Sequence, residues 1–286
     1  MILTNLISLY IDYMNERKLS DNTFSSYKSV LNRFKSHYAD KAIDDIKDSE
    51  IKLFLTDFKD VSNNTINHAI IVLTELFKYA VKFEYINKSP MDKITKLKEE
   101  NYIREYFDDD EITDFINNDK VSFRLKLLYE TGCRASELIG IKIFNINIPG
   151  QYIKILGKGS KTRLVPLSPE CTKKLADYLV ERKSISNSEI RKGDEDILFL
   201  SDKKRNGKYH ALTRMMINNE LKKYVDELNT EKHITPHSLR HSRATHLLNK
   251  SNNDIYAVSK FLGHSSVKTT EIYLHNDLNM LKKLVD

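Results

Sequence analysis

The chain has 286 residues, 40% of them hydrophobic and 30% charged, a balance typical of a globular protein with a sizeable core. Two cysteines exclude a disulfide framework and favour a reducing cytoplasm. The sequence has no apolar run near the ~18 residues of a membrane span, and its first residues do not read as a signal peptide, so no membrane partner is expected. The net charge is +6, and since residues 1–100 carry 15 charges of each sign, the whole surplus lies in residues 101–286. This surplus raises the odds of a polyanionic partner, but charge alone would favour a basic cytosolic protein with solvated lysines.

Four helices are predicted in the first ninety residues, because apolar side chains recur there at steps of three and four. The four apolar stripes are Leu3, Ile7, Tyr10 and Met14; Phe24, Tyr27, Leu31, Phe34 and Tyr38; Ile51, Phe54, Leu55 and Phe58; and Ile66, Ile70, Leu73, Phe77 and Ala80. The polar runs SDNT and SNNT stand before the second and fourth stripes and supply N-cap side chains. We predict an all-helical domain over residues 1–88.

A polar, charged stretch broken by Pro90 follows, and we predict a linker over residues 89–105 and a second domain over residues 106–286. In that domain, Asp108 to Asp110 suit the start of a helix better than a metal site. The run QYIKILGKGSKTRLVPL predicts a β-hairpin whose turn contains Gly157 and Gly159. The next run, SPECTKKLADYLVERK, predicts a helix begun by Ser168 and Pro169, and the later run DILFLS predicts a strand. The fold class is therefore mainly α, with a small β-hairpin or sheet in an α+β second domain.

The familiar catalytic motifs are missing from the sequence: it has no Walker loop, no GxSxG and no HExxH. Nine histidines and two cysteines never fall into zinc-ligand spacing, so neither a metal nor another cofactor is expected. The distinctive stretch is HITPHSLRHSRATHLL, in which Pro236 opens a helix. His237 and Arg240 are one turn apart on it, so an imidazole and a guanidinium point the same way, an arrangement suited to a phosphate.

Four separated motifs, in this order and spacing, resemble the tyrosine recombinase (phage integrase) family, its Xer branch most of all. They are TGCRASELIGIK, GKGSKTRLVPL, TPHSLRHSRATHLL and LGHSSVKTTEIYLH. The resemblance covers roughly residues 3 to 280. It implies a helical core-binding, SAM-like domain followed by the catalytic domain, and a reaction that needs no cofactor because the bond energy is kept in a 3′-phosphotyrosyl ester.

The resemblance also implies a role for each site residue. Tyr273 is the nucleophile, and Arg134 and Arg240, with His264, stabilise the charge on the phosphate. Lys158 is the general acid for the departing 5′-oxygen, and His237 is a base or proton carrier for Tyr273.

Several neighbouring residues carry secondary predictions. Glu137, one turn after Arg134, is expected to orient the Arg134 guanidinium. Lys161 is the competing candidate for the acid. His241 and His246 are expected to be structural. Arg243 departs from the apolar or aromatic residue usual at its place in the family, and we expect it to reach solvent or DNA.

The partners that the resemblance implies are double-stranded DNA and three further protomers, in a homotetramer or a heterotetramer with a paralogue. An accessory protein is left open, as is the choice between chromosome dimer resolution and the integration and excision of a mobile element. Two alternatives remain: a type IB topoisomerase, which runs the same chemistry without synapsis, and a catalytically silent DNA-binding regulator on the same scaffold.

Overall fold

The structure, a computed structural model, consists of two compact units, residues 1–102 and 103–286. The residues that it describes are 1–17, 19–98, 105–157, 161–228, 230–251 and 254–263. No helix within these ranges is both long and apolar enough to cross a bilayer.

The first unit contains the four predicted helices. They are α1 (Leu3–Glu16), α2 (Asp21–Tyr38), α3 (Asp48–Thr56) and α4 (Asn63–Lys82). Ser20 caps α2 as its sequence suggests, by accepting a hydrogen bond from the Thr23 N–H, whereas Ser62 precedes α4 without a side-chain cap. The centre of the core is formed by large apolar side chains of all four helices, among them Leu6, Phe34, Phe54 and Phe77.

Residues that follow α4 also belong to this unit. Met91 is buried in its core, and the Asn67 side chain of α4 donates to the Leu97 carbonyl and accepts from the Leu97 N–H, at 2.9 and 2.7 Å. Because both amide groups of Asn67 are satisfied in this way, the start of the stretch predicted as a linker is held against the helices. The domain boundaries at residues 88 and 105 stay a prediction.

In its described residues, the second unit has seven helices around a small sheet. The helices are α5 (Asp109–Asn117), α6 (Phe123–Thr131), α7 (Ala135–Ile139), α8 (Pro169–Ser184), α9 (Arg214–Glu227), α10 (Pro236–Lys250) and α11 (Ile255–Leu262). The strands β1 (Ile146–Asn147), β2 (Tyr152–Leu156) and β3 (Thr162–Pro166) form an antiparallel sheet in the order β1-β2-β3. The predicted fold class, mainly α with a small β element, is confirmed.

Local sequence signals set where these elements begin. Asp108 and Glu111 form a reciprocal capping box at the start of α5, so the acidic run caps a helix as predicted. Ser168 and Thr235 cap α8 and α10, each directly before a proline in the first turn. β2 and β3 pair in the predicted hairpin with Ile153 opposite Val165.

The predicted strand DILFLS is wrong. Residues 197 and 200 make only isolated bridges, to Lys142 and Ala211 respectively. The physical reason lies in Arg182, whose guanidinium donates to the carbonyl oxygens of Ile197 and Glu195 at 3.0 and 2.8 Å. Of these two oxygens, that of Ile197 belongs to the segment, and because it accepts from a side chain it is not free to continue a strand ladder; the apolar residues of the segment are buried in the core.

Candidate active site

The second unit has an open cavity of about 610 Å³ whose lining includes Arg134, His237 and Arg240. Arg134, at the start of α7, lies more than a hundred positions before His237 and Arg240, which both belong to the first turns of α10. Among the described residues, the lining also contains the cationic side chains of Arg214, Lys222 and Lys232, the last of which is paired with Glu111, and a single carboxylate, that of Asp226. A cavity with this excess of cations suits a phosphodiester.

Arg134 is the N-cap residue of α7, and its side chain is 43% exposed. Its backbone N–H donates to Glu137 Oε2 at 3.0 Å, and its guanidinium Nη1 donates to Glu137 Oε1 at 2.8 Å. One carboxylate one turn along the chain therefore holds both ends of the residue. The guanidinium is fixed at the cavity wall and still reaches solvent.

Glu137 has a 5% exposed side chain and a second cationic partner, Arg163 of β3, which donates to Oε2 at 2.9 Å. Burial alone would raise the pKa of Glu137, but the hydrogen bonds from Arg163 and Arg134 outweigh it and hold the pKa below its ordinary value. The carboxylate is therefore ionised at neutral pH.

Arg240 is almost completely buried, with 1% of its surface exposed. Its Nη1 donates to the Gly132 carbonyl oxygen at 2.6 Å and its Nη2 to that of Leu262 at 2.9 Å. Gly132 makes the first contact possible: its φ is +55°, and a Cβ there would lie 2.6 Å from Leu262 Cδ2. The guanidinium is thus immobilised by backbone oxygens.

His237 is exposed in the first turn of α10, one turn before Arg240 on the same side of the helix. Lys161, the competing acid candidate, is exposed directly before β3. Three predicted site residues, Lys158, His264 and Tyr273, lie outside the described residues. In the part of the chain that is described, no group of three His, Cys, Asp or Glu side chains is placed to hold a metal ion.

The expectation that Arg243 reaches solvent or DNA is wrong, because its side chain is only 14% exposed. The guanidinium lies over the rings of Tyr129 and Phe261, at 5.2 and 5.6 Å from their centroids, and 3.5 Å from a carboxylate oxygen of Glu130. Two aromatic faces replace water around this cation, and so the charged side chain packs inside the unit.

The two histidines predicted to be structural are buried in α10. His246 Nδ1 lies 2.8 Å from the Tyr129 hydroxyl, and burial lowers the pKa of His246. His241 stacks on Tyr106 with ring centroids 5.2 Å apart.

Arg163 lies in the motif GKGSKTRLVPL, but the sequence predicts no role for it. The available signal was its place in β3: Arg163 is opposite the inward-facing Ile155 in the hairpin register, where a charged side chain needs a buried partner. That partner is Glu137, which lies 26 residues earlier in the chain.

Comparisons with known proteins identify the family to which this chain belongs. Residues 105–280 match the model of the phage integrase family, and residues 7–83 match that of the phage integrase N-terminal SAM-like domain. A tyrosine recombinase XerD of Oceanobacillus iheyensis is 34% identical, with 94% of this chain and 92% of that protein covered. A XerD of Staphylococcus epidermidis is 29% identical, with 99% and 97% covered.

Two solved structures are similar over most of the chain. The XerH site-specific recombinase in a post-cleavage complex with palindromic difH substrate has a TM-score of 0.71 at 26% identity, covering 92% of this chain and 79% of that one. The Tn1549 transposon integrase bound to transposon right end DNA has a TM-score of 0.77 at 21% identity, covering 99% and 98%. The second likeness concerns the fold alone.

Proposed function

This chain belongs to the phage integrase family and is a site-specific tyrosine recombinase, and we propose that it cuts and rejoins duplex DNA through a 3′-phosphotyrosyl link to Tyr273. The observation that carries the proposal is the cavity of the second unit, where Arg134, His237 and Arg240 line one cationic space.

The two arginines supply charge stabilisation at the phosphate. Attack on a phosphodiester builds negative charge on its two non-bridging oxygens, and cations that are already fixed in place lower the barrier without reorganising. Arg240 is held by two backbone carbonyls and Arg134 by Glu137, so neither guanidinium has to be ordered when the substrate binds. His264 adds a further hydrogen-bond donor to the same oxygens.

The bond changes follow from the remaining roles. The Tyr273 oxygen gives up its proton toward His237 and bonds to phosphorus, while the bond from phosphorus to the 5′-oxygen breaks. Lys158 gives that oxygen a proton, which leaves a free 5′-hydroxyl and a 3′-phosphotyrosyl ester. Attack by another 5′-hydroxyl reverses the sequence and joins a new strand, so that no external energy source is consumed.

We also propose the assembly in which this exchange takes place: four protomers on two synapsed duplexes, in the cytoplasm. Support comes from the cationic cavity and from the similar XerH recombinase, whose structure is a complex with its difH substrate. Strand exchange between two duplexes requires four cuts, and one tyrosine in each of four protomers supplies them.

The test needs a DNA probe, which the protein itself can select: a duplex enriched from a random-sequence pool by binding to the Tyr273→Phe variant, then nicked next to the cleavage position. The wild-type protein should form a covalent adduct on this duplex that survives denaturation. Tyr273→Phe should bind with the same affinity and form none, because it lacks the nucleophilic oxygen.

The matched control is Tyr256→Phe, since Tyr256 is a 64% exposed tyrosine of α11 in the same unit. This variant should form the adduct at the wild-type rate. An adduct with Tyr273→Phe would remove Tyr273 from the proposal. Relaxation of supercoiled plasmid that lacks the selected sequence would favour the type IB topoisomerase, and an inactive wild-type protein would favour the DNA-binding regulator.

A further inference from the structure

Arg163 joins two parts of the catalytic unit that the active site uses. Its side chain is 10% exposed and its guanidinium binds in two directions: Nη2 donates to Glu137 Oε2 at 2.9 Å, and Nε donates to the Phe261 carbonyl oxygen at 3.0 Å. Glu137 in turn binds the guanidinium of Arg134. Arg163 and the active-site residue Arg134 therefore bind the same carboxylate, that of Glu137.

The second contact completes the C-terminal end of α11. A helix leaves its last four carbonyls without partners in the helix, and a buried end needs them satisfied. In α11 those of Ser259 and Lys260 accept from the Gly263 N–H, that of Phe261 accepts from Arg163, and that of Leu262 accepts from Arg240. The negative end of the α11 dipole thus interacts favourably with two cationic side chains, those of Arg163 and Arg240.

The fit between Arg163 and this helix end is close. Gly263 has a φ of +70°, and a Cβ at that position would lie 2.8 Å from Arg163 Cδ. Only glycine adopts this backbone conformation readily and leaves room for the arginine stem. The next residue of the sequence is His264, and Tyr273 follows nine positions later.

We propose that Arg163 is a positioning residue for the recombination reaction. It fixes Arg134 through Glu137 and, with its other nitrogen, holds the end of α11 from which the chain continues to His264 and Tyr273. This inference rests on the proposed function, since it assigns Arg163 a task in that reaction.

Three variants and one control test it. Arg163→Met removes both hydrogen bonds, Arg163→Lys keeps the charge on a single nitrogen that cannot replace two separate donors, and Glu137→Gln removes the shared carboxylate. The control is Arg182→Met, because Arg182 is a 3% exposed arginine of the same unit that also donates to two carbonyls, those of Ile197 and Glu195, neither of which belongs to a site residue.

The rate of adduct formation on the selected nicked duplex and the affinity for that duplex are measured from acid to neutral pH. Both Arg163 variants should bind within about threefold of wild type but form the adduct about 10–100-fold more slowly, as expected for a displaced catalytic group. Arg182→Met should keep the wild-type rate and pH profile at a temperature where it is folded.

The pH profile separates positioning from mere stability. Within the described part of the chain, the ionisable groups that face Glu137 are Arg134 of its own helix, Arg163 of the hairpin and the buried Cys133 thiol. Without Arg163, the pKa of Glu137 rises, so the carboxyl group is protonated at a higher pH and releases Arg134 there. The acid limb of the Arg163→Met profile should move to higher pH, and Glu137→Gln combined with Arg163→Met should show the profile of Glu137→Gln alone.

Four results would overturn the inference. They are a wild-type rate in both Arg163 variants, equal losses in binding and rate, an unshifted acid limb in Arg163→Met, or unfolding of both variants, which would make Arg163 a residue of stability alone. Each requires that the wild-type protein forms the adduct on the same duplex. A wild-type protein that forms none contradicts the proposed function instead.

Discussion

Arg240 and Gly132 are joined by a 2.6 Å hydrogen bond from the guanidinium to the backbone carbonyl oxygen. Gly132 lies two residues before Arg134, so this bond connects α10 to the turn that presents the other active-site arginine. The two cations proposed to bind one phosphate are therefore placed relative to each other by a short backbone contact. Their surroundings differ, since Arg134 is 43% exposed at the side chain and Arg240 is buried.

That difference predicts separate effects on stability. Arg240→Ala leaves two buried carbonyls without a donor and should lower the free energy of unfolding by about 2–4 kcal/mol. Arg134→Ala should lower it by less than about 1 kcal/mol, because its ion pair is partly exposed. Each should slow adduct formation by about 10²–10³-fold, the loss typical of one transition-state donor. Denaturant unfolding and single-turnover cleavage measure the two quantities. Equal stability losses would contradict the view of Arg240 as a buried structural cation.

A side chain at position 132 is expected to clash with Leu262. Gly132→Ala would place Cβ 2.6 Å from Leu262 Cδ2 at a φ of +55°, and it should destabilise the protein by about 2–4 kcal/mol and slow cleavage by displacing the carbonyl that binds Arg240. Gly207→Ala is the matched control, since Gly207 has a φ of +74° and nothing within 4 Å of the added atom. It should cost about 1 kcal/mol, from backbone strain alone, and leave cleavage unchanged.

Leu262→Ala tests whether the clash causes the larger loss. In this background the added Cβ has room, so Gly132→Ala should cost about as little as Gly207→Ala. Additive losses in a thermodynamic cycle of unfolding would show that the two side chains do not interact.

The burial of His246 is expected to make the stability of the protein depend on pH. Burial lowers the pKa of His246, so the folded protein keeps the ring neutral over a pH range in which the unfolded chain binds a proton. The free energy of unfolding should therefore be highest above about pH 6.5 and fall as the pH drops below the pKa of the unfolded chain. His246→Phe should flatten this slope between pH 5 and 7, measured by denaturant unfolding. A wild-type slope that survives in the variant would assign it to other groups.

Two different kinds of sequence information predicted the helices of the first unit and the meeting of the three cavity residues. Apolar stripes define buried helix faces without any reference to the rest of the fold, and all four helices of the first unit follow them. The meeting of Arg134, His237 and Arg240 came instead from motif order, because nothing in local periodicity says that α7 and α10 are adjacent.

What the sequence missed depends on contacts between distant segments. The Arg243 guanidinium lies over the rings of Tyr129 of α6 and Phe261 of α11. No local sequence pattern predicts that two aromatic rings from other helices contact a charged side chain. The isolated bridge at residue 197 has a similar origin, since Arg182 of α8 binds the Ile197 carbonyl oxygen. Both cases concern an arginine whose partners lie on other elements.

The proposed general acid can be tested by changing the leaving group. An alkoxide leaves poorly unless it is protonated as its bond to phosphorus breaks, and such help is worth about 10²–10⁴-fold in rate. A 5′-bridging sulfur removes the need, because a thiolate leaves without a proton. Lys158→Ala should therefore be slow on ordinary DNA and close to wild type on the sulfur-substituted duplex.

Arg134→Ala and Lys161→Ala are the two comparisons for that experiment. Arg134→Ala should stay slow on both duplexes, because Arg134 binds charge on the non-bridging oxygens, which the sulfur does not change. Lys161→Ala should cleave ordinary DNA far faster than Lys158→Ala. If sulfur restores the rate of Lys161→Ala and not that of Lys158→Ala, the acid is Lys161, the exposed residue that directly precedes β3.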